Sequence, residues 1–360
     1  MKKTVVIGMS GGVDSSAAAY VLKEEGYNVI GVTMEFWQNS DYCHIEEEGG
    51  CGGLTAAEDA RRVAEVLDIP YYVLDFRKEF HQNVIQYFIN DYLQARTPNP
   101  CIMCNRYVKW EALLQRSRAL GADYIATGHY ARISKLENGR YAIMNSVTAE
   151  KDQTYALYGL TQEQLSHTLL PIGAYSKPEV RALAEKAGLP VAKKHDSQEI
   201  CFIPDGDYAS FIERNTDERM PEGNFVSKEG KILGKHRGLL HYTIGQRRGL
   251  NLPMGRRVFV TELRPESNEV VVGEHEDVFT NELTAGNITF MGIPEMKIGE
   301  SGVFLTKIRY NHRGTECIVS RTGPDEIHCH FTSPVRAVTP GQAVVFYKDN
   351  YVAGGGVIKR

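Results

Sequence analysis

The sequence predicts an α/β fold in three parts: an N-terminal doubly wound parallel sheet with a phosphate-binding loop, a small central domain, and a C-terminal β-barrel. Three observations carry this. Over roughly the first 130 residues, strand-like and helix-like stretches alternate, which gives parallel strands with helices on both faces. A Gly-rich run, GMSGGVDSS, lies where the first strand hands over to the first helix. After about Pro204 glycine becomes frequent, helical periodicity fades, and short runs such as RRVFVTEL, NEVVVGE, GVFLTKIRY and QAVVFYK recur between turns, as in a small β domain or barrel. The expected domains are residues 1–204, 205–275 and 276–360.

Taken in order, KTVVIGM is a first strand and Ser15 to Lys23 a first helix. YNVIGVTMEF is the second strand, and Thr55 with Glu58 reads as a capping box before the helix Ala57 to Asp68. PYYVLDF is a third strand, followed by helices from about Glu79 to Gln94 and from about Asn105 to Leu120, then the strand YIATGHYARI. Ser176 and Glu179 form a second capping box before VRALAEKAGL, which Gly188 and Pro190 stop. Ligands of such sheets sit at the carboxyl ends of the strands.

A hydrophobic content of 42% with 24% charged residues is globular, and no apolar run reaches the ~18 residues of a membrane span. Asp14 interrupts the N-terminal apolar region where a secretion signal needs continuity. Seven cysteines without small-scaffold spacing point to a reducing, cytoplasmic setting. The net charge of -4 says little, but its distribution says more: from Lys231 to Arg264 there are eight Lys or Arg residues and one acid, Glu262. With Lys307, Arg309, Arg313 and Arg321 further on, a docked polyanion is expected on the second half, with a solvated basic face as the bland alternative.

The chemistry starts at Gly8 to Ser16. Backbone N–H groups of such a loop close around an anion at the positive end of a helix. No lysine follows the glycines, so the loop is not a Walker motif, and it suits a pyrophosphate held by backbone donors and by Ser10, Ser15 and Ser16. Asp14 is placed to help organise Mg2+. SGGVDSS resembles the PP-loop of ATP pyrophosphatases, which implies ATP as the nucleotide and adenylation of a carbonyl oxygen as the chemistry.

TPNPCIMCN then places Cys101 and Cys104 three apart, with Cys104 where a loop meets a helix and a thiol's pKa is lowered. Cys201 lies in HDSQEICFIPDGDY, read as an exposed loop. Spacing alone leaves a metal clip, a redox pair and reacting sulfurs all open. SGGVDSS, NPCIMCN, TGHYAR, KDQTYAL, HDSQEICFI, YTIGQRRGL and KIRYNHRG occur in this order over the whole chain, which resembles the tRNA-specific 2-thiouridylases. The resemblance implies conversion of uridine 34 in the tRNA anticodon to 2-thiouridine. It implies ATP along Gly8, Met9, Ser10, Gly11, Gly12, Val13, Asp14 and Ser15, with Met34 and Gly128 near the adenosine. By the same resemblance Cys201 bears a persulfide, and Cys104 closes a disulfide with it or helps expel the sulfur. Lys151, Asp152, Gln153, Arg309 and Tyr310 touch tRNA, as do His129 and Gln342. Asn99, Pro100 and Cys101 border the target base, where Pro98 and Pro100 stiffen a wall around a flipped nucleotide or simply stop a helix. The family further implies tRNAs for Lys, Glu and Gln, and a cysteine desulfurase or relay protein as sulfur donor; a monomer is expected.

Cys101 departs from the family pattern, since many relatives carry aspartate there. Cys101, Cys104 and Cys201 together offer three thiolates for a [4Fe-4S] cluster with one open iron, an alternative route for the same reaction. Cys43 and Cys51, beside His44 in SDYCHIEEEGGCGG, read as a metal site or a mobile loop. Cys317 and Cys329 alternate with apolar residues and are expected to be buried. Arg247, Arg248, Arg256 and Arg257 suit phosphate contacts, and Tyr310 suits base stacking. A PP-loop small-molecule synthetase is the more remote alternative, and a non-catalytic RNA or nucleotide sensor the one from another class.

Overall fold

The computed structural model describes residues 2–37, 54–196, 199–218 and 220–359. The first sheet is built from β1 (Thr4–Gly8), β2 (Asn28–Glu35), β3 (Tyr71–Asp75) and β4 (Tyr124–Ala126). A hairpin of β5 (Arg132–Lys135) and β6 (Tyr141–Met144) follows, then the short β7 (Thr168–Leu169). Strand order is β3-β2-β1-β4-β7 and every pairing is parallel. Val5, Val6 and Ile7 are fully buried, as a central parallel strand covered on both faces requires. The chain winds outward from β1 to β3, then crosses to the other side of β1 for β4. The crevice between the carboxyl ends of β1 and β4 is therefore the topological switch point, where ligands of such sheets bind.

The expected strand YIATGHYARI is two strands in different sheets. Its first part, β4, ends at Ala126, and Thr127 to Tyr130 form a loop at the switch point. Its second part, β5, pairs with β6, and β6 joins the C-terminal barrel through Met144 opposite Tyr351. The helix α1 (Val13–Glu24) follows β1, and α2 (Leu54–Val66) precedes β3. The expected Thr55 cap is not seen, because α2 already includes Thr55 and starts at Leu54. The Ser176–Glu179 box is present: the Glu179 carboxylate accepts from the Ser176 N–H at 2.7 Å and from its hydroxyl at 2.6 Å.

The two long helices also differ from expectation. The first runs through Arg77–Phe80, a wide π turn His81–Ile85, and Gln86–Leu93. The second begins five residues early, at Pro100, and passes through a π segment Cys104–Ala112 before Leu113–Ala119. Asn99 explains the early start: its side chain accepts from the Cys101 N–H at 3.2 Å, and Pro100 occupies the first turn, where a missing N–H costs nothing.

Beyond the helix Tyr208–Arg214, a four-stranded sheet is formed by β8 (Gly223–Val226), β9 (Ile232–His236), β10 (Phe259–Arg264) and β11 (Glu269–Gly273), in the order β10-β11-β8-β9. Then β12 (Phe279–Phe290), β13 (Ser301–Lys307), β14 (Thr315–Gly323), β15 (Glu326–Arg336), β16 (Ala343–Lys348) and β17 (Tyr351–Ile358) follow in turn. Pairing of β12 with both β15 and β17 closes these six strands into an antiparallel barrel, which leaves them no free edge. The barrel is fastened to the first sheet's layer by buried polar contacts. The Tyr155 hydroxyl donates to the Ala343 carbonyl at 2.7 Å, and the Arg140 guanidinium donates to the Met291 and Phe290 carbonyls, each at 2.8 Å.

Candidate active site

The loop Gly8 to Ser15 sits at the switch point and is braced by its own side chains. Gly11 has φ +68°, and a Cβ there would lie 2.4 Å from the Ala56 carbonyl oxygen, so only glycine fits. The Ser10 N–H donates to Ser15 Oγ at 3.1 Å, and the Ser15 and Ser16 hydroxyls donate to the Gly12 carbonyl at 3.2 and 2.8 Å. Met9 is buried, tied through its N–H to the Val32 carbonyl and through its carbonyl to Thr33 Oγ1, both at 2.8 Å. Met34 and Val13 are buried around it. Gly128 closes the far side: a Cβ there would come within 2.6 Å of the Ser15 backbone nitrogen. Gly128 therefore admits the start of α1 against β4, whatever it touches in a nucleotide.

Asp14 is part-exposed and already engaged within the fold. Its carboxylate accepts from Lys177 Nζ at 2.7 and 2.9 Å and from the Tyr130 hydroxyl at 2.7 Å. Lys177, in the first turn of the helix Lys177–Lys186, thus brings to the loop the positive charge its own motif lacks. Lys194 adds a second, with Nζ 3.3 Å from the Gly11 carbonyl and 2.7 Å from Asp59. Neither lysine was expected here. The capping box signalled the helix that starts at Lys177, but nothing local signalled its partner 163 residues away.

Of the three cysteines, Cys101 is exposed, Cys104 is buried at the start of the π segment, and Cys201 is half-buried. Cys201 is thus less open than the exposed loop expected for it. Cys104 and Cys201 pack on one apolar cluster, anchored beside Cys201 by Phe202, which meets Phe80, Phe88 and Phe211. Cys101 lies near Tyr208 and Tyr310. Burial pushes both tyrosine hydroxyls up in pKa, and proximity to the Cys101 thiol adds to each shift. None of the five described cysteines is disulfide-bonded, and among the described residues no three Cys, His, Asp or Glu side chains converge as metal ligands. The set Cys101, Cys104 and Cys201 therefore does not form a ready cluster site in this conformation. Cys317 and Cys329 are buried in the barrel core, as expected, and the hydrogen bond with Cys317, then burial, holds the Cys329 thiol well above its ordinary pKa. Cys43, His44 and Cys51 lie outside the described residues.

The residues expected to face RNA divide into two groups. Tyr310 is well exposed on the turn after β13, its ring edge-on to Tyr155 at 6.2 Å. Burial and Arg336 lower the pKa of the neighbouring Arg309, as for a cation partly withdrawn from water. Arg247, Arg256 and Arg257, with Asn251, line an open cavity of about 400 Å³ in the central region, where Arg256 pairs with Glu274 at 2.7 Å. The others are engaged within the fold. Asp152 accepts from the Ser146 and Thr154 N–H groups at 2.8 and 3.1 Å, and Gln153 Oε1 accepts from the Tyr130 N–H at 2.8 Å. Lys151 binds Asp196 at 3.0 Å. Gln342 donates to the Thr97 carbonyl at 2.8 Å. His129 shares a 2.7 Å hydrogen bond with Thr127 and lies 5.4 Å from the Trp110 ring, and burial, then Lys109, drives its pKa well down.

Family models match three consecutive stretches: a "tRNA methyl transferase HUP domain" over residues 3–205, a "tRNA methyl transferase PRC-barrel domain" over 209–274, and an "aminomethyltransferase beta-barrel domain" over 280–358. The tRNA-specific 2-thiouridylase of Lachnoclostridium phytofermentans is 60% identical over 356 residues, covering 99% of each chain. That of Clostridium perfringens is 53% identical over 358 residues, again 99% of each. That of Clostridioides difficile is 51% identical over 361 residues, covering 100% of this chain and 99% of its own. The chain belongs to the tRNA-specific 2-thiouridylase family. The family models speak of methyl transfer, whereas these end-to-end relatives are thiouridylases. The Gly8 to Ser15 loop lies at the switch point of the first stretch, and Cys104 and Cys201 pack on one core. The three matched stretches correspond to the parallel-sheet region, the central four-stranded sheet and the C-terminal barrel.

Proposed function

We propose that this protein 2-thiolates uridine 34 in the tRNA anticodon wobble position, using ATP and a sulfur carried by Cys201. The observation that carries the reading is 60% identity to a named thiouridylase over 99% of each chain. Units 1–204, 205–275 and 276–360 would serve as catalytic, tRNA-contacting and barrel domains.

The uracil O2 attacks the α-phosphorus of ATP, which expels pyrophosphate and leaves the oxygen carrying AMP. Backbone donors of Gly8 to Ser15 and the positive end of α1 hold the phosphates, and Met34 and Gly128 border the adenosine. Mg2+, where bound, would neutralise the departing pyrophosphate. The terminal sulfur of a Cys201 persulfide attacks C2, and AMP leaves with the C–O bonding pair. The Cys104 thiolate then attacks the Cys201 sulfur, breaking the S–S bond to leave C2=S on the base and a Cys104–Cys201 disulfide. Two thiols of a reductant then return that disulfide to the Cys104 and Cys201 thiols and become a disulfide themselves, and a donor persulfide, carried by a cysteine desulfurase or a relay protein, passes its outer sulfur to the Cys201 thiolate and is left as a thiolate. Exposed Tyr310 suits stacking on an unstacked base, and the arginine-lined cavity suits a backbone phosphate. Asn99, Pro100 and Cys101 would then border the flipped base, and Lys151, Asp152, Gln153, Arg309, His129 and Gln342 would touch the tRNA. The tRNAs for Lys, Glu and Gln as substrates, a cytoplasmic setting and a monomeric chain complete the proposal.

The test is formation of 2-thiouridine from tRNA, ATP, a cysteine desulfurase and cysteine. Cys201→Ala should abolish it while leaving tRNA affinity nearly intact. Thiolation retained by that variant refutes the role given to Cys201.

A further inference from the structure

The segment that leads to Cys201 is laced to the nucleotide loop. Asp196 receives Lys177 Nζ at 2.6 Å, Lys151 Nζ at 3.0 Å and the Arg181 guanidinium at 3.1 Å. Lys177 simultaneously grips Asp14 in the loop. Two residues earlier, Lys194 reaches the Gly11 carbonyl of the same loop, and Arg181 donates to the Ala192 and Lys194 carbonyls at 2.8 and 3.0 Å. Residues 192–196 are thus fixed by seven side-chain bonds, two of which run to the loop or to the lysine that holds it.

These groups are shielded enough to matter. The side chains of Lys177 and Asp196 are 13% and 23% exposed, so salt screens them less than a surface pair. Cys201 lies five residues beyond Asp196, which limits the tether to about 17 Å even if fully extended. Fixing Asp196 on Lys177 therefore limits how far the sulfur can range from the nucleotide loop.

We propose that Asp196 is a positioning residue that holds the Cys201 segment on the nucleotide loop, so that each adenylated uridine meets sulfur before water. The inference rests on the thiolation reading above. Without the tie, the adenylated base is still made, but water attacks C2 in place of the persulfide. That attack returns uridine and AMP, so pyrophosphate accumulates without 2-thiouridine.

The readout is pyrophosphate released per 2-thiouridine formed, measured with tRNA, ATP and a persulfide-loading desulfurase. Wild type should give about one, the stoichiometry of a committed transfer. Asp196→Asn should raise the ratio roughly tenfold, the rate equivalent of one charged hydrogen bond, and Asp196→Glu should restore most of the coupling. A merely structural role would lower both products together and leave the ratio at its wild-type value, which would overturn the proposal. Should Asp196→Asn fail to fold, Lys194→Gln removes the parallel tie and should raise the ratio in the same direction; an unchanged ratio there also overturns it. Wild-type protein that forms no 2-thiouridine at all refutes the thiolation reading itself, a different outcome from an unchanged ratio.

Discussion

Gln342 donates its amide to the Thr97 carbonyl at 2.8 Å, while the Thr97 N–H donates to the Pro340 carbonyl at 2.8 Å. The two bonds join the barrel to the loop that enters Asn99, Cys101 and Cys104. Gly341 completes the joint with φ +91°, since a Cβ there would press to 2.9 Å on the Thr97 backbone nitrogen. A barrel residue expected to touch tRNA is thus also a strut for the cysteine loop. Gln342→Ala removes the side-chain hydrogen bonds to the Thr97 and Pro98 carbonyls, together worth about 1 kcal/mol because the second is long, and the thiolation kcat should fall roughly fivefold with KM for tRNA unchanged. If instead KM for tRNA rises while kcat holds, the side chain is a direct RNA contact and no strut.

Gly128 makes the next prediction, because its neighbours are backbone atoms that cannot swing aside. A methyl group there would meet Ser15 N at 2.6 Å, Asp14 C at 2.7 Å and Ser15 Cα at 2.8 Å. Gly128→Ala must push α1 from β4, at a cost of about 1–3 kcal/mol of overpacking. The start of α1 is the proposed phosphate site, so ATP affinity should drop by at least about tenfold by calorimetric titration, with lower thermal stability. Wild-type ATP affinity in this variant would place the phosphates elsewhere.

The first sheet was easy to read because a covered parallel strand is a continuous apolar run. KTVVIGM and YNVIGVTMEF could be little else. YIATGHYARI misled because strand propensity names a strand and not its sheet. Only the turn at Gly128 and His129, forced by packing against α1, sends β5 to the barrel. The π turns at His81–Ile85 and Cys104–Ala112 were also invisible, since an inserted residue leaves the apolar face nearly intact. At the site, the glycines and cysteines announced themselves by local spacing. Lys177 and Asp196 did not, because their meaning lies in a contact with Asp14 that no window of sequence contains.

A buried histidine contributes to the acid sensitivity of the fold. His236 accepts from the Gly238 N–H through Nδ1 at 3.0 Å, so its proton sits on Nε2, which donates to the Asn268 carbonyl at 3.1 Å. A second proton would face an N–H donor, and burial lowers this imidazole below its ordinary 6.5, the Asn268 carbonyl only partly opposing. The folded state then binds fewer protons than the unfolded one in the window below 6.5, so stability falls as pH drops through it, by at most about 1.4 kcal/mol per pH unit for this group. His129, His241 and His312 are lowered in the same direction, also chiefly by burial. Asp75, held down to about 2 by Arg77, loses its contribution only at far lower pH, so the two effects separate. Urea midpoints measured from pH 7.5 to 5.5 should decline in the wild type and decline less in His236→Gln. Parallel curves for the two proteins would remove His236 from the explanation.

The last prediction concerns how sulfur is carried. Cys101 and Cys104 lie one helical turn apart, the spacing that a cluster would use, yet Cys101 is exposed, Cys104 is buried, and no third ligand joins them among the described residues. A [4Fe-4S] cluster on Cys101, Cys104 and Cys201 would need all three sulfurs to face one cavity, each bound as thiolate. The persulfide route asks less, since only Cys104 and Cys201 must meet, and both already pack on the same apolar core. Protein purified strictly without oxygen should therefore contain iron and acid-labile sulfide near zero per chain and still thiolate tRNA once a desulfurase loads it. Cys101→Asp should then keep most of its activity, because a carboxylate can serve as base for the neighbouring thiol. About four iron and four sulfide per chain, lost together with activity in Cys101→Asp, would reverse the assignment and make Cys101 a cluster ligand.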